Sequence, residues 1–428
     1  MPRTSSVTCS EPTADAPAFH YDLPPRLVAQ SPAPQRTASR LMLVGRDGTV
    51  RGESRFAELP ALLRAGDLLV VNDSRVLPAR LRLRRASGGR VELLLERPLF
   101  NEECDNESGD AARSSDGCWL ALAQPMRRLK DGERLHLEGG GGTSEPDGTI
   151  EIVGRTEGGG LVVRACGCDL ADLAQRRGET PLPPYIRRGP GTAPALAALD
   201  RERYQTVYAH ERGSVAAPTA GLHFDTELTA RLREAGVGWA AVTLHVGSGT
   251  FRAPDAGDLA RRRLHAERFT LPAATDAAVR RCRREGGRVV AVGTTTLRVL
   301  ETARRLELDR DGPDQRIWGP GTPDAPAEFA GEAVREPGND ADHGGWRVSG
   351  LTRLFVAPPD AVTAADGLIT NFHLPGSSLL MLLAAFLGGT DRWRPAYARA
   401  VDDDWRFYSY GDAMLVLPDA AATPQDGR

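Results

Sequence analysis

The chain has 428 residues, 41 % hydrophobic and 26 % charged, with a formal net charge of −3 at pH 7. That length suggests two domains or three, each able to bury a full core. The near-neutral balance excludes a globally basic nucleic-acid binder, so any RNA contact must come from a local patch.

Residues 1–18 are polar and rich in Pro, Ser and Thr, and read as a disordered tail without the apolar core of a secretory signal. Of the six cysteines only Cys166 and Cys168 lie close together, which fits a reducing compartment better than a disulfide framework. No zinc-ribbon or iron–sulfur spacing occurs, so no metal is expected. The longest apolar run, from Leu379 to Leu387, is too short to cross a bilayer and reads as a buried helix. A cytoplasmic monomer without membrane contact is the expectation.

After the tail, Gly66-Asp67 leads into an apolar strand, Leu68 to Val71, and a polar turn from Asn72 to Arg75. From Val76 onward the pattern is β. Ala79, Leu81 and Leu83 alternate with arginines, a Gly-rich turn follows, and Val91, Leu93 and Leu95 alternate again, which is a hairpin signal. Further strands are predicted over Trp119 to Ala123, Arg134 to Leu137, Thr149 to Val153 and Leu161 to Ala165. Closing them into a small antiparallel barrel over 76–178 removes exposed edges. The acidic stretch 101–117 reads as a loop insertion within it.

An α/β pattern occupies the rest, so that 19–75 and 179–428 form one layered α/β domain interrupted by the barrel. Asp225 can cap a helix whose Leu228, Leu232 and Ala235 share a face and which Gly236 ends. A strand from Trp239 to Val246 follows, then another from Arg288 to Val292. Gly293 and three threonines lead into a helix bearing Leu297, Leu300 and Ala303. The segment 309–345, rich in Pro, Gly and Asp, reads as a mobile insertion.

Polar clusters stand at the ends of these apolar elements, where α/β proteins place ligands. The run from Ser214 to Phe224 holds Pro218, Thr219, Gly221 and His223 just before a helix start that favours an anion; a plain loop with a capping histidine is the alternative. The run from Thr243 to Phe251 puts His245 beside the Gly247-Ser-Gly249 turn, which lacks the spacing of a dinucleotide fingerprint and could be a β-bulge. Thr294 and Thr295 offer hydroxyls and free N–H groups at a helix start, which simple capping also explains. Asn371 and His373 lie before a helix that Ser377 can cap, and have no evident structural duty. His265 and Glu267 suit proton transfer better than metal binding, since the helical zinc motif is missing. The arginines at 261–263 and at 280, 281, 283 and 284 read as a solvated face or a phosphate-contacting patch.

In this order, these strings resemble the S-adenosylmethionine:tRNA ribosyltransferase-isomerase family of queuosine biosynthesis. The resemblance runs from Phe19 to Leu417 apart from the two insertions. It includes Tyr21-Asp-Leu-Pro24, Ser39-Arg-Leu41, the run from Gly66 to Leu81, Pro181 to Ile186, Arg203 to Tyr208, Ser214 to Phe224, Thr243 to Phe251, Gly293-Thr-Thr295, Thr370 to Pro375, and Ser409 to Met414. It implies an α/β domain interrupted by a β-barrel, with no cofactor beyond S-adenosylmethionine as co-substrate. It also implies transfer and isomerisation of the ribosyl group onto the aminomethyl group of 7-aminomethyl-7-deazaguanine in the tRNA anticodon loop. Epoxyqueuosine forms while adenine and methionine leave. Alternatives are a paralogue acting on a non-tRNA acceptor and a non-catalytic RNA-binding protein.

That chemistry needs a base for the ribose proton beside the sulfonium, a neutral attacking amine and a donor for the leaving adenine. His223, His245, His265, Glu267 and His373 are the catalytic candidates. The matched motifs add Asn72, Asp73, Arg75, Tyr204, Gln205, Pro218, Thr219, Gly221, Thr243, Gly247, Gly249, Thr294, Thr295, Asn371, Tyr410 and Asp412 as substrate-binding candidates. Two departures stand out. Arg262 occupies the place of a second family histidine, and Ala357-Pro-Pro-Asp360 replaces a Tyr-Pro-Gly-Tyr string, with Thr363 at the place of a nearby lysine.

Overall fold

The computed structural model describes residues 17–99, 117–138, 148–156, 159–189, 192–308, 316–318, 333–337 and 345–418. Its strands are β1 (Arg40–Gly45), β2 (Val50–Arg55), β3 (Leu68–Asn72), β4 (Ser74–Val76), β5 (Arg80–Arg85), β6 (Arg90–Pro98), β7 (Cys118–Gln124), β8 (Arg134–Leu137), β9 (Thr149–Arg155) and β10 (Leu161–Ala165). They continue with β11 (Glu211–Ser214), β12 (Gly238–Leu244), β13 (Arg263–Leu271), β14 (Val289–Val292), β15 (Arg316–Trp318), β16 (Ala333–Pro337), β17 (Trp346–Leu354), β18 (Gly367–Asn371) and β19 (Ala413–Leu417). The helices are α1 (Leu59–Leu62), α2 (Leu170–Arg177), α3 (Pro194–Arg203), α4 (Thr226–Glu234), α5 (Ala256–Arg261), α6 (Ala273–Arg284), α7 (Thr294–Leu308), α8 (Ser378–Phe386) and α9 (Arg394–Asp402).

Two compact units result. The first comprises the described parts of Met1–Asn72, Thr219–Leu244 and Phe251–Arg428; the second those of Asp73–Pro218 and His245–Thr250. Residues 179–218, which the sequence pattern places with the α/β domain, belong to the second unit. Backbone pairing explains this: β11 runs parallel to β4, and Glu179 bridges to Arg80.

The first unit is a sheet of eleven strands in the order β15-β16-β17-β13-β12-β3-β14-β18-β19-β1-β2. Its centre, β12-β3-β14-β18, is parallel. Central parallel strands are covered on both faces and need continuous apolar runs. Leu68 to Val71 and Val289 to Val292 meet that demand and are buried throughout. Asp225 caps α4 by accepting from the Leu228 amide, and Gly236 leaves the helix at φ 77°. α8 is capped by Ser377 and buried from Leu380 to Phe386. Among the described residues no helix is long and apolar enough to cross a membrane.

The second unit contains a closed antiparallel barrel, β10-β7-β6-β5-β8-β9. Alternation in β5 and β6 sends Leu81, Leu83, Val91, Leu93 and Leu95 inward. Leu170, Leu173 and Ala174 of α2 pack against the same core. The mixed α/β sheet with a separate barrel is the fold class read from the sequence. The 101–117 insertion lies outside the described residues except for Gly117, as does most of the 1–18 tail. Within 309–345 the expected loop instead contributes β15 and β16, which extend the sheet from β17.

The edges of the central strands are pinned by a buried ion pair. Asp67, 1 % exposed, takes Arg288 Nε at 2.9 Å and Nη2 at 2.5 Å. It also accepts the Arg64 and Arg288 amides. Burial pushes the Asp67 carboxyl up, but Arg288 and these amides more than reverse the effect, and it titrates below the usual carboxylate range. Removing one partner of such a pair strands the other. Asp67→Ala is expected to lower unfolding free energy by roughly 3 kcal/mol in urea titration, with Asp67→Asn less damaging.

Candidate active site

The four parallel strands β12, β3, β14 and β18 end at Leu244, Asn72, Val292 and Asn371. Each is apolar for most of its length and turns polar at or just past its last residue. Open α/β sheets bind ligands beyond such carboxyl ends. Asn72 is fully buried. Its amide donates to the Leu244 carbonyl at 3.0 Å, its oxygen accepts the Leu244 amide at 3.0 Å, and Thr295 Oγ1 lies 3.5 Å away. Asn72 therefore braces β3 against β12 and sets the height of the first turn of α7.

His223 closes a short 3-10 turn, Thr219–His223, that also carries the buried Gly221. Asn371 Nδ2 donates to His223 Nε2 at 3.2 Å, and His223 Nδ1 lies 2.9 Å from Ser39 Oγ. A nitrogen that accepts from an amide carries no hydrogen, so Nδ1 is the protonated one and donates to the serine. Phe56 stacks on the ring with centroids 4.9 Å apart. Burial, with Arg406 and Arg36 nearby, lowers the His223 pKa from 6.5 to about 3. Asn371 Nδ2 also donates to the Tyr408 carbonyl, while its buried Oδ1 has no partner among the described residues. That oxygen is poised to accept a ligand hydrogen.

His373 is equally enclosed. Its Nε2 lies 2.8 Å from Thr370 Oγ1, its amide donates to Tyr397 Oη, and its carbonyl accepts from Tyr21 Oη. Burial lowers its pKa to about 3 as well. At neutral pH both histidines are uncharged, and neither can deliver a proton as a general acid. They offer fixed hydrogen bonds instead.

His265 differs. Its side chain keeps 30 % of its surface exposed, and Nε2 lies 3.1 Å from Oε1 of Glu267, whose side chain is 1 % exposed. The second Glu267 oxygen takes Nη1 of buried Arg298. This is a histidine oriented by a carboxylate, with solvent access, as proton transfer requires. Thr294 and Thr295, one turn earlier on α7, are buried at the helix start.

His245 belongs to the other unit and is half-buried. It packs close against Gly213 of β11, where there is no side chain: a Cβ there would stand 2.9 Å from His245 Nδ1. Gly213 also adopts φ 139°, which favours glycine. In the same unit the Ser248 amide of the Gly247–Gly249 turn donates to Glu96.

Other candidates also bond to the backbone. Gln205 spends both ends of its amide on the Val76 backbone, at 3.1 and 3.2 Å. Asp412 accepts the Arg40 and Arg406 amides, both at 2.9 Å, while burial raises its pKa. Asp73 gives its carbonyl to the His210 and Glu211 amides, and exposed Arg75 reaches the Ala209 carbonyl. Tyr204, Pro218, Thr243 and Tyr410 are buried, and Thr219 is half-buried. The sequence reading missed Ser39, Phe56 and Thr370 as partners of the histidines, and Arg298 as partner of Glu267. Ser39, Thr370 and Arg298 stand within or beside matched strings, but nothing local marks which side chain each would meet.

The two departures from the family pattern meet in space. Arg262, at φ 49° where α5 ends, pairs with Asp360 at 2.5 Å.

The folded pKa values of His223 and His373 lie below 6.5, so the unfolded chain binds protons that the fold excludes. Stability is complete above that value and falls as pH drops toward 3, by about 1.4 kcal/mol per pH unit per histidine. Urea titrations across this window should show the slope, and His373→Gln should remove about half of it. Gly213→Ala should displace His245 and cut activity at least as much as His245→Ala, with urea titration measuring the cost to the barrel unit.

A family model described as queuosine biosynthesis protein matches residues 16–416. A protein of Azoarcus sp. (strain BH72) named S-adenosylmethionine:tRNA ribosyltransferase-isomerase is 43 % identical over 401 residues, 93 % of this chain and 96 % of its own. One of the same name from Thermus thermophilus is 43 % identical over 402 residues, 94 % of this chain and 99 % of its own. The crystal structure of an S-adenosylmethionine tRNA ribosyltransferase from Thermotoga maritima is 32 % identical, covers 94 % of this chain and 100 % of its own, and has a TM-score of 0.46. Matched over nearly its whole length, the chain belongs to the queuosine biosynthesis protein family.

Proposed function

We propose that this chain is an S-adenosylmethionine:tRNA ribosyltransferase-isomerase. It transfers and isomerises the ribosyl group onto the aminomethyl group of 7-aminomethyl-7-deazaguanine in tRNA, forming epoxyqueuosine and releasing adenine and methionine. It acts as a cytoplasmic monomer with S-adenosylmethionine as co-substrate and needs no metal or prosthetic group. The family match over residues 16–416 carries this reading, because relatives bearing that name share about two residues in five across it.

The site geometry supports a division of labour. The sulfonium acidifies the adjacent ribose carbon, and His265, oriented by Glu267 and partly exposed, takes that proton. The positive end of α7, with Gly293, Thr294 and Thr295, holds the methionine carboxylate. His223 and His373 are neutral, so they position substrate through hydrogen bonds, with the free Asn371 Oδ1 accepting from a ligand N–H or O–H.

Mass spectrometry of products from labelled S-adenosylmethionine and tRNA carrying the aminomethyl base tests the reaction. Label on tRNA with adenine released supports it. Label on the free deazapurine alone would point to a non-tRNA acceptor, and tRNA binding without adenine release to a non-catalytic protein. His265→Ala is expected to lower kcat by roughly 10²–10⁴-fold, on the order of a general-base contribution, and Asn371→Ala chiefly to raise KM.

A further inference from the structure

α7 is unusual for a central helix. Residues Thr294 to Ala303 are all buried, yet six of them are polar or charged: Thr294, Thr295, Thr296, Arg298, Glu301 and Thr302. Buried polar groups persist only where they are paired. Thr296 bonds back to the Val292 carbonyl, and Thr302 meets Thr352 of β17 at 2.9 Å. Glu301 takes Arg305 and the Thr363 and Ala364 amides.

Arg298 is the exception. It is 3 % exposed and gives only Nη1 to Glu267, while Nε and Nη2 find no partner among the described residues. An arginine kept for packing alone would be fully bonded or replaced by an apolar residue of similar volume. A single charge-assisted bond to the carboxylate that orients a partly exposed histidine indicates another duty.

We infer that Arg298 is a positioning residue for proton transfer: its fixed positive charge balances the buried Glu267 carboxylate, so that Glu267 orients His265 by accepting from Nε2 without drawing a further proton onto the pair. This rests on the role proposed for His265. The logic is electrostatic. A buried carboxylate must be balanced. With the guanidinium present, the balance comes from Arg298, and His265 need only donate an N–H. Without it, the balance comes from a proton taken up by His265. That uptake removes the basic form of the pair at a higher pH than before.

Several other charges near the pair already have partners, and three arginines lie alongside it. Across β17, Glu267 faces Thr352 in register, with Arg353 beside it. On α7, Glu301 holds Arg305. On α5, Asp255 and Asp258 hold Arg252, and Arg262 holds Asp360. On β13 itself, Arg263 and Arg268 flank the pair. Arg298 is a buried cation bonded directly to Glu267, so its removal is the most direct perturbation of the pair.

The test uses the full chain. The imidazole titration of His265 is followed by NMR in wild type, Arg298→Met and Arg298→Lys, together with the pH profile of kcat/KM. The expected result is a rise of the His265 midpoint and of the acidic limb by about one pH unit or more in Arg298→Met. Arg298→Lys, which keeps the charge, should show a smaller shift in the same direction and partial recovery of rate. In a Glu267→Gln background, loss of Arg298 should no longer move the midpoint. A folded Arg298→Met protein with an unmoved midpoint would overturn the inference, and so would Arg298→Lys shifting as far as Met. Should Arg298→Met fail to fold, Arg298→Gln, which removes the charge but keeps a hydrogen-bonding amide, takes its place: an unmoved midpoint there refutes the coupling. The NMR readout needs no turnover, so loss of the proposed reaction and loss of this coupling are told apart.

Discussion

Placing Glu267 and Arg298 together at 4 % side-chain exposure or less is the constraint on which the first unit turns. Each ion alone would cost several kcal/mol to dehydrate, so neither can be there without the other. Their meeting fixes α7 against β13, because Arg298 comes from the helix and Glu267 from the strand. Thr295 with Asn72 and Thr302 with Thr352 place contacts on either side of it along the same helix. The helix start, with its unpaired N–H groups, is thereby held at the carboxyl end of β14.

Burial sorts residues of one type into different chemistries. His223 and His373 have surrendered their basicity to a dry environment and have become neutral donors and acceptors. His265 keeps contact with solvent and gains a carboxylate. Residue identity alone does not separate the five catalytic candidates; among those in the first unit, His265 combines solvent access with a carboxylate partner.

Much of the architecture was legible because it follows from periodicity and end signals. The inward leucines of β5 and β6, the Asp225 and Gly236 boundaries of α4 and the Ser377 cap of α8 are all local features. The hairpin of β1 and β2 carried no such mark, since β2 alternates half-buried with exposed residues and lacks an apolar stripe. β15 and β16 were hidden for a related reason: short edge strands in a Pro- and Gly-rich segment derive their order from the neighbour they pair with. At the site, the histidines and Asn371 were visible as polar residues without a duty. Gln205 and Asp412 looked the same, and in the fold both bond to backbone groups. Whether a polar side chain serves a ligand or a neighbouring amide depends on tertiary proximity, which no single sequence displays.

The bond between Arg262 and Asp360 carries a lesson for segment exchange. The two residues are 98 positions apart in the chain, and each replaces a different element of the pattern that the rest of the molecule resembles. Grafting the α5 end of a relative into this chain would orphan the aspartate, and transplanting the 357–360 stretch would orphan the arginine. Hybrids between this protein and its relatives should tolerate these two pieces only when both travel together.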